Sequence, residues 1–92
     1  MRHTRKNIFY HELIGLWVRI LEHTDPSLVS VEGVVVDETL KTLVIETRDG
    51  RRKRVLKANG VYLFRLPSGG KVIIRGSQIY GRPEDRLKNI VK

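Results

Sequence analysis

The chain has 92 residues, which suffices for a single domain over residues 1–92 and leaves no room for a second hydrophobic core. It lacks cysteine, which excludes disulfides and thiolate zinc sites, and it carries 18 Lys and Arg against 10 Asp and Glu, for a net charge of +8. Such a surplus attracts polyanions, so nucleic acid is the expected partner. No apolar run approaches the roughly 20 residues that span a bilayer, and we expect a cytoplasmic protein without membrane contact.

The first residues predict a basic tail that runs into a short helix. Thr4 can cap the helix, apolar residues follow at spacings of four, and Gly15 supplies a stop. The spacing therefore predicts a helix over residues 4–14. Arg5 and Lys6 lie at its start and are candidate RNA contacts, although a purely electrostatic tail explains them equally well.

From Leu16 the apolar period changes to two, which predicts strands separated by Gly and Pro turns. Gly33, inside the second strand, predicts a bulge or a sharp bend. Strands of this length and spacing favour a mainly β fold, a small antiparallel barrel of about six strands over residues 16–80, with a sandwich as the alternative. After the first strand, the predicted segments are residues 29–37, 42–47, 52–57, 61–66 and 71–75, and a short closing strand at 77–80.

The C-terminal residues return to a helical pattern. Pro83 suits the first helical position, acidic residues follow in the first turn, and Lys88 comes late, so the sequence predicts a helix over residues 83–92. Arg82 and Arg86 lie one helical turn apart and, with Lys88, form a candidate RNA-binding patch. Alternatively, these basic residues only compensate the acidic ones of the same helix.

The most informative segment is the Asp-Gly turn after the third predicted strand. A hairpin turn projects its side chains away from the core, where they can meet phosphates. The alternative is a solvated hairpin that protects a sheet edge, but such an edge usually mixes both signs of charge. We therefore predict RNA contact by the five basic residues of positions 48–54 and by the lysine that ends the strand: Arg48, Arg51, Arg52, Lys53, Arg54 and Lys57.

Other stretches predict a protein contact and a core. Residues 16–47 carry six acidic and two basic side chains, and the acidic strand region from Glu32 to Glu46 is left for a basic protein partner. The candidate contact residues are Trp17, Arg19, Glu32 and Asp37, although Trp17 could instead meet RNA or cover the predicted N-terminal helix. Tyr62 and Phe64 share one face of a predicted strand and are assigned to the core rather than to base stacking, because a small domain needs large core side chains.

Catalysis finds no support in the residues. The three histidines are scattered over a tail, a helix and a turn, and none has a partner at triad or metal-ligand spacing. Asp37 and Glu38 are adjacent carboxylates, but a two-metal nuclease needs several convergent ones. We predict no catalytic residue and no metal ligand, with a small stand-alone nuclease as the rival interpretation.

Five motifs occur in a characteristic order and spacing from about His11 onward: "ELIGL" at 12–16, "EGVVVDET" at 32–39, "LVI" at 43–45, "IRG" at 74–76 and "RPEDR" at 82–86. In this combination the sequence resembles archaeal ribonuclease P protein component 1. The resemblance implies an Sm-like, strongly bent barrel flanked by terminal helices. It also implies binding to the catalytic RNA that removes 5′ leaders from precursor tRNA, and pairing with other protein subunits, especially a small zinc-ribbon subunit.

In that family the protein assists the RNA and does not cleave it. The resemblance thus implies no cofactor on this chain, magnesium bound by the catalytic RNA, indirect contact with precursor tRNA, and enzymatic activity only as a subunit of the holoenzyme. The alternative is a generic Sm-like or ribosomal-type RNA-binding barrel. A homo-oligomeric Sm ring is not expected, because the interval from Gly33 to Asp37 is shorter than in the Sm motif and no Met-Asn pair follows Asp37.

Overall fold

A computed structural model describes residues 13–81 of the chain. Within these residues the fold is mainly β, as predicted, and the strands form one antiparallel sheet. Three short 3₁₀ turns complete it, at Pro26–Leu28, Lys57–Asn59 and Gly76–Ile79. The six strands are β1 (Trp17–His23), β2 (Glu32–Glu38), β3 (Thr42–Glu46), β4 (Arg52–Leu56), β5 (Gly60–Arg65) and β6 (Lys71–Arg75).

The strand order is β4-β3-β2-β1-β5-β6, so that β1 pairs with both β2 and β5. Strands β4 and β6 lie at the two edges and do not pair with each other. The predicted barrel is therefore corrected to a sheet that is not closed by hydrogen bonds. Residues 13–81 contain no helix that could span a membrane.

The core lies on one face of this sheet, which explains why the sheet must curve. Alternate residues of all six strands are buried and form a single cluster, and the described residues contain no α-helix to cover it. A sheet can bury one face without a second layer only by bending around it. Tyr62 and Phe64 are fully buried and pack edge to face, with ring centroids 6.3 Å apart, which confirms their assignment to the core.

Two bulges and one glycine accommodate the curvature. The register shifts between Ile20 and Glu22 in β1 and between Val35 and Asp37 in β2. The bulge predicted at Gly33 is thus misplaced by a few residues. Gly33 has a different role: a Cβ there would lie 2.1 Å from the carbonyl oxygen of Glu46, so only glycine permits this close approach of β2 and β3.

The predicted closing strand at residues 77–80 is wrong, because this segment forms the 3₁₀ turn Gly76–Ile79. The Gln78 side chain accepts a hydrogen bond from the Arg75 amide at 2.9 Å, which favours a turn over an extended continuation of β6. A Cβ on Gly76 would lie 1.3 Å from the Lys57 carbonyl oxygen, so the turns that follow β4 and β6 touch directly.

The two predicted helices fall mostly outside the described residues. Residues 4–12 of the first predicted helix and residues 83–92 of the second lie outside residues 13–81. Of the first helix only Leu13 and Ile14 are described, and they are not helical: Ile14 and Gly15 form a turn, closed by a 3.1 Å hydrogen bond from the Leu16 amide to the Leu13 carbonyl. Gly15 has a φ of +95°, a conformation that glycine adopts without strain, but no helix precedes it within residues 13–81.

Candidate nucleic-acid interface

The hairpin between β3 and β4 turns on the segment from Thr47 to Arg51. The Thr47 amide donates to the Arg51 carbonyl at 2.8 Å, and the Gly50 amide donates to the Thr47 carbonyl at 2.9 Å. The Thr47 hydroxyl donates to the Asp49 carboxylate, and this hydrogen bond lowers the pKa of Asp49 below its usual value. The turn thus satisfies its own polar groups and presents the flanking arginines to solvent.

Basic side chains surround this turn, and we call the set the basic hairpin: Arg48, Arg51, Arg52, Lys53 and Arg54. All four arginines are exposed, and Lys53 is half-buried. Arg51 lies 3.3 Å from Asp49, and Arg52 lies 3.1 Å from Glu46, but exposed pairs of this kind hold their partners weakly. Within residues 13–81, the other three members form no ion pair. The basic hairpin therefore has cations available for phosphates.

Alternation along β4 decides which side of the sheet each cation occupies. Val55 is fully buried, so Arg52 and Arg54 lie on the outer face, at a spacing of about 7 Å. Across the ladder, Arg52 pairs with Glu46 and Arg54 with Val44. Two arginines thus lie side by side on the convex surface, next to the arginines of the turn.

The same alternation turns Lys57 inward, and the structure corrects its assignment to RNA. Its side chain is 0% exposed. Nζ donates to Glu38 Oε2 at 2.7 Å, to the Thr39 carbonyl at 2.7 Å and to the Gly81 carbonyl at 2.9 Å. An ammonium group has three protons, so these acceptors occupy it inside the protein. No phosphate can reach Lys57 without opening the fold.

The Lys57–Glu38 pair also joins distant parts of the chain. The second Glu38 oxygen accepts a hydrogen bond from the Leu13 amide at 3.2 Å. The Gly81 amide donates to the Leu40 carbonyl at 2.8 Å. The first and last described residues therefore meet at the β2–β3 turn, around one buried ion pair.

A second feature of the outer face is a row of side chains that crosses all six strands. Each member is the register partner of the next. The row contains three cations, of which only Arg52 was predicted from the sequence to contact RNA. The other two, Arg65 and Lys71, are visible in the sequence as basic residues at the end of β5 and the start of β6. Their alignment with Trp17 follows only from strand pairing. We call this the outer row: Lys71, Arg65, Trp17, Val34, Glu46 and Arg52.

Trp17 is at the centre of the outer row. The guanidinium carbon of Arg65 lies 4.5 Å from the centroid of its ring system, a distance typical of a cation–π contact. On the β2 side of Trp17, a groove of about 310 Å³ opens towards the basic hairpin. Its lining includes Val34, Glu46 and Arg48. The outer row thus combines an aromatic ring, a groove and nearby cations.

The residues predicted to contact a protein partner are only partly brought together. Arg19 and Glu32 are register partners on β1 and β2, with a 3.9 Å ion pair, and both are about half exposed. Trp17 lies beside them. Asp37 lies beyond the β2 bulge, where it lines a small groove with Arg52 and Arg54. It therefore lies closer to the basic hairpin than to the other three.

Several other predicted site residues lie outside residues 13–81. They are Arg5, Lys6, Arg82, Arg86 and Lys88. Within the described range, no group of three His, Asp or Glu side chains is close enough to hold a metal ion. Both ring nitrogens of His23 have protein partners. Nδ1 accepts a hydrogen bond from the Asp25 amide at 2.9 Å, and Nε2 lies 3.2 Å from the Leu56 carbonyl.

Comparisons with known proteins agree with this architecture. Residues 6–89 match the family model described as "Ribonuclease P/MRP, subunit p29". The chain is 71% identical to "Ribonuclease P protein component 1" of Staphylothermus marinus, over all of both chains, and 62% identical to the protein of that name from Desulfurococcus amylolyticus, over 98% of each. The solved "Structure of Mth11: A homologue of human RNase P protein Rpp29" is 47% identical, with a TM-score of 0.61, over 83% of this chain and 97% of that one. The chain belongs to the p29 family of ribonuclease P/MRP subunits.

Proposed function

We propose that this chain is the RNA-binding p29-type subunit of ribonuclease P, which assists the catalytic RNA in removing 5′ leaders from precursor tRNA. Its membership of the family, over the whole chain, supports the assignment to that complex. The observation that carries the RNA contact is the basic hairpin. It presents four exposed arginines, two in the turn and two on the outer face of β4, and its two ion pairs are both exposed to solvent.

The proposed mechanism is electrostatic and conformational. Phosphates that approach the basic hairpin release counterions, which favours binding and makes it dependent on salt. The turn is held by its own hydrogen bonds, so the arginines are presented on a preorganised support. By neutralising phosphates the protein would stabilise a compact, active conformation of the RNA. Magnesium would be bound by the RNA, and this chain would contribute no catalytic group.

Protein partners are proposed for the surface of β1 and β2 that lies beside the basic hairpin. Arg19, Glu32 and Asp37 remain the candidates for contact with another ribonuclease P subunit, such as the zinc-ribbon subunit. Strands β1 and β2 here carry exposed charges of both signs, and paired charges at an interface favour specificity and register. We also propose that the bent sheet is of the Sm-like type, with precursor tRNA reached only through the RNA.

Recovery of the native RNA tests this function. The tagged protein would be isolated from its own cells, and the bound RNA would be sequenced. We expect enrichment of one ribonuclease P RNA, with precursor tRNA enriched more weakly because its contact is indirect. A matched control would carry the same tag with Arg48, Arg51, Arg52 and Arg54 changed to Ala, and should recover less of that RNA.

The alternative outcomes are distinct. Enrichment of ribosomal RNA, or of many unrelated small RNAs, would contradict the proposed function and leave a general RNA-binding β domain. Equal recovery of ribonuclease P RNA by the variant would keep the function but remove the basic hairpin as its contact surface, with recruitment then resting on other protein subunits.

A further inference from the structure

The groove beside Trp17 has the composition of a site for a stacked base. We propose that it receives one unstacked nucleobase of the bound RNA. This inference rests on the proposed function and adds a site to it. The groove has a volume of about 310 Å³, at the lower end of the range for small-ligand sites. Its apolar wall is formed by Trp17 and Val34, and Val34 is an apolar residue exposed on the outer face of β2.

Arg65 prepares the indole for this role. Its guanidinium lies 4.5 Å from the Trp17 centroid and covers the ring from the β5 side. The groove lies on the β2 side, and Arg65 does not line it. The ring is therefore held in place on one side while the other side adjoins the groove. A base entering there would stack on an aromatic ring that is already fixed, so little side-chain entropy is lost on binding.

Polar groups around the groove match the rest of a nucleotide. Arg48 lines it and has no ion pair within residues 13–81, so it can meet a phosphate next to the inserted base. Glu46 also lines it and uses Oε2 to hold Arg52. A carboxylate can accept hydrogen bonds from the exocyclic amino group of a base. Stacking, phosphate contact and base-edge contact are thus available in one place.

Charge and size favour RNA over a protein at this groove. Its two carboxylates, Glu32 and Glu46, each form an ion pair with an arginine, Arg19 and Arg52 respectively. Among the remaining charged neighbours in the outer row and the turn, Asp49 is the one carboxylate, and it forms an ion pair with Arg51. The exposed apolar surface consists of a single ring and one valine, whereas a stable protein interface buries roughly 800 Å² on each partner. One base needs only one stacking partner.

The native protein offers a direct probe, because Trp17 is the only tryptophan in the chain. We would titrate it with a short single-stranded RNA and, separately, with the duplex formed by that strand and its complement. Binding would be followed by the anisotropy of labelled RNA, and the groove by tryptophan fluorescence. A base stacked on Trp17 should quench its emission in parallel with single-strand binding. The duplex, whose bases are already stacked, should bind through the cations without that quenching.

Variants separate stacking from charge. Trp17→Ala should weaken single-strand binding by about 5- to 150-fold, the usual range for one stacked base, and leave duplex binding and the salt slope nearly unchanged. Trp17→Phe keeps an aromatic ring and should recover most of the loss. The native titration does not depend on either variant folding.

Each result decides between the two proposals. Single-strand binding without quenching, or equal quenching by the duplex, would overturn the nucleobase site and leave the proposed function standing. Failure of both RNAs, and of ribonuclease P RNA, to bind would overturn the proposed function itself. A Trp17→Phe variant as weak as Trp17→Ala, although folded, would also count against stacking.

Discussion

Strand β4 and the turn after it place cations in two opposite environments. Arg52 and Arg54 lie on the outer face. Within residues 13–81 only Arg52 of the two forms an ion pair, with Glu46, and that pair is exposed to solvent. Lys57 begins the turn that follows β4, yet its ammonium group is enclosed by one carboxylate and two carbonyls at 2.7–2.9 Å. Net charge therefore does not measure an RNA-binding surface. The strand alternation and the acceptors supplied by the fold decide whether a cation binds a partner or stabilises the core.

The largest expected effect is on stability, from breaking the buried pair. Lys57→Met leaves Glu38 charged and buried, and removing one partner of such a pair typically costs about 3–5 kcal/mol. Denaturant unfolding would measure it. The matched control is Lys41→Met, an exposed lysine in the β2–β3 turn, which should change stability by less than about 0.5 kcal/mol.

A double variant makes the cause clear. Adding Glu38→Gln to Lys57→Met removes the uncompensated charge and should restore part of the lost stability. If Lys57→Met unfolds no more easily than the Lys41 control, the buried pair does not hold the fold. The exposed and buried cations would then differ in position but not in importance.

The second expected effect is on RNA binding, and it concerns the exposed arginines of the basic hairpin. Changing Arg51, Arg52 and Arg54 together to Ala should lower the slope of log affinity against log salt by up to about three, since each neutralised phosphate contributes nearly one. Stability should change little, because the ion pairs involved are exposed. Binding to ribonuclease P RNA at several salt concentrations would measure the slope.

The control for this experiment is Lys41→Ala, an exposed cation at the opposite end of β3, which should leave the slope nearly unchanged. An unaltered slope in the triple variant would mean that phosphates are met elsewhere. A large loss of stability would instead show that these arginines also support the fold, contrary to their exposure.

The smallest effect concerns the hydrogen bonds that hold the Lys57 turn. The Tyr62 hydroxyl lies 2.9 Å from the Leu56 carbonyl and 3.0 Å from the Lys57 carbonyl, and burial raises its pKa far above the usual value, so it remains a donor at all ordinary pH. Tyr62→Phe should cost about 1–2 kcal/mol in denaturant unfolding. Tyr80→Phe, at an exposed ring, is the control. A cost equal to that of Lys57→Met would show that the hydroxyl supports this turn as strongly as the ion pair does, contrary to the expected order.

Much of the fold follows from local patterns in the sequence. The two-residue period predicted the strands, and the Asp-Gly turn located the β3–β4 hairpin, because both depend on neighbouring residues. The open sheet did not follow, because strand pairing joins residues that are far apart in sequence. The turn at Gly76–Ile79 did not follow either, since it packs against the turn at Lys57–Asn59.

The candidate site divides in the same way. The cluster of arginines at the hairpin is a local feature, and its exposure could be expected from the turn. Lys57 was assigned to RNA by its charge, although its two-residue distance from Val55 already placed it on the inner side. The alignment of Arg65 with Trp17 required the pairing of β1 with β5, which no short motif encodes.

The meeting of Leu13 and Gly81 at the β2–β3 turn has a consequence for local opening of the fold. Both amides bond to that turn, at the Glu38 carboxylate and the Leu40 carbonyl. A change that loosens the turn should therefore release both segments together. Hydrogen exchange at the two amides would then rise in parallel, although the two residues lie on opposite sides of the sheet in sequence.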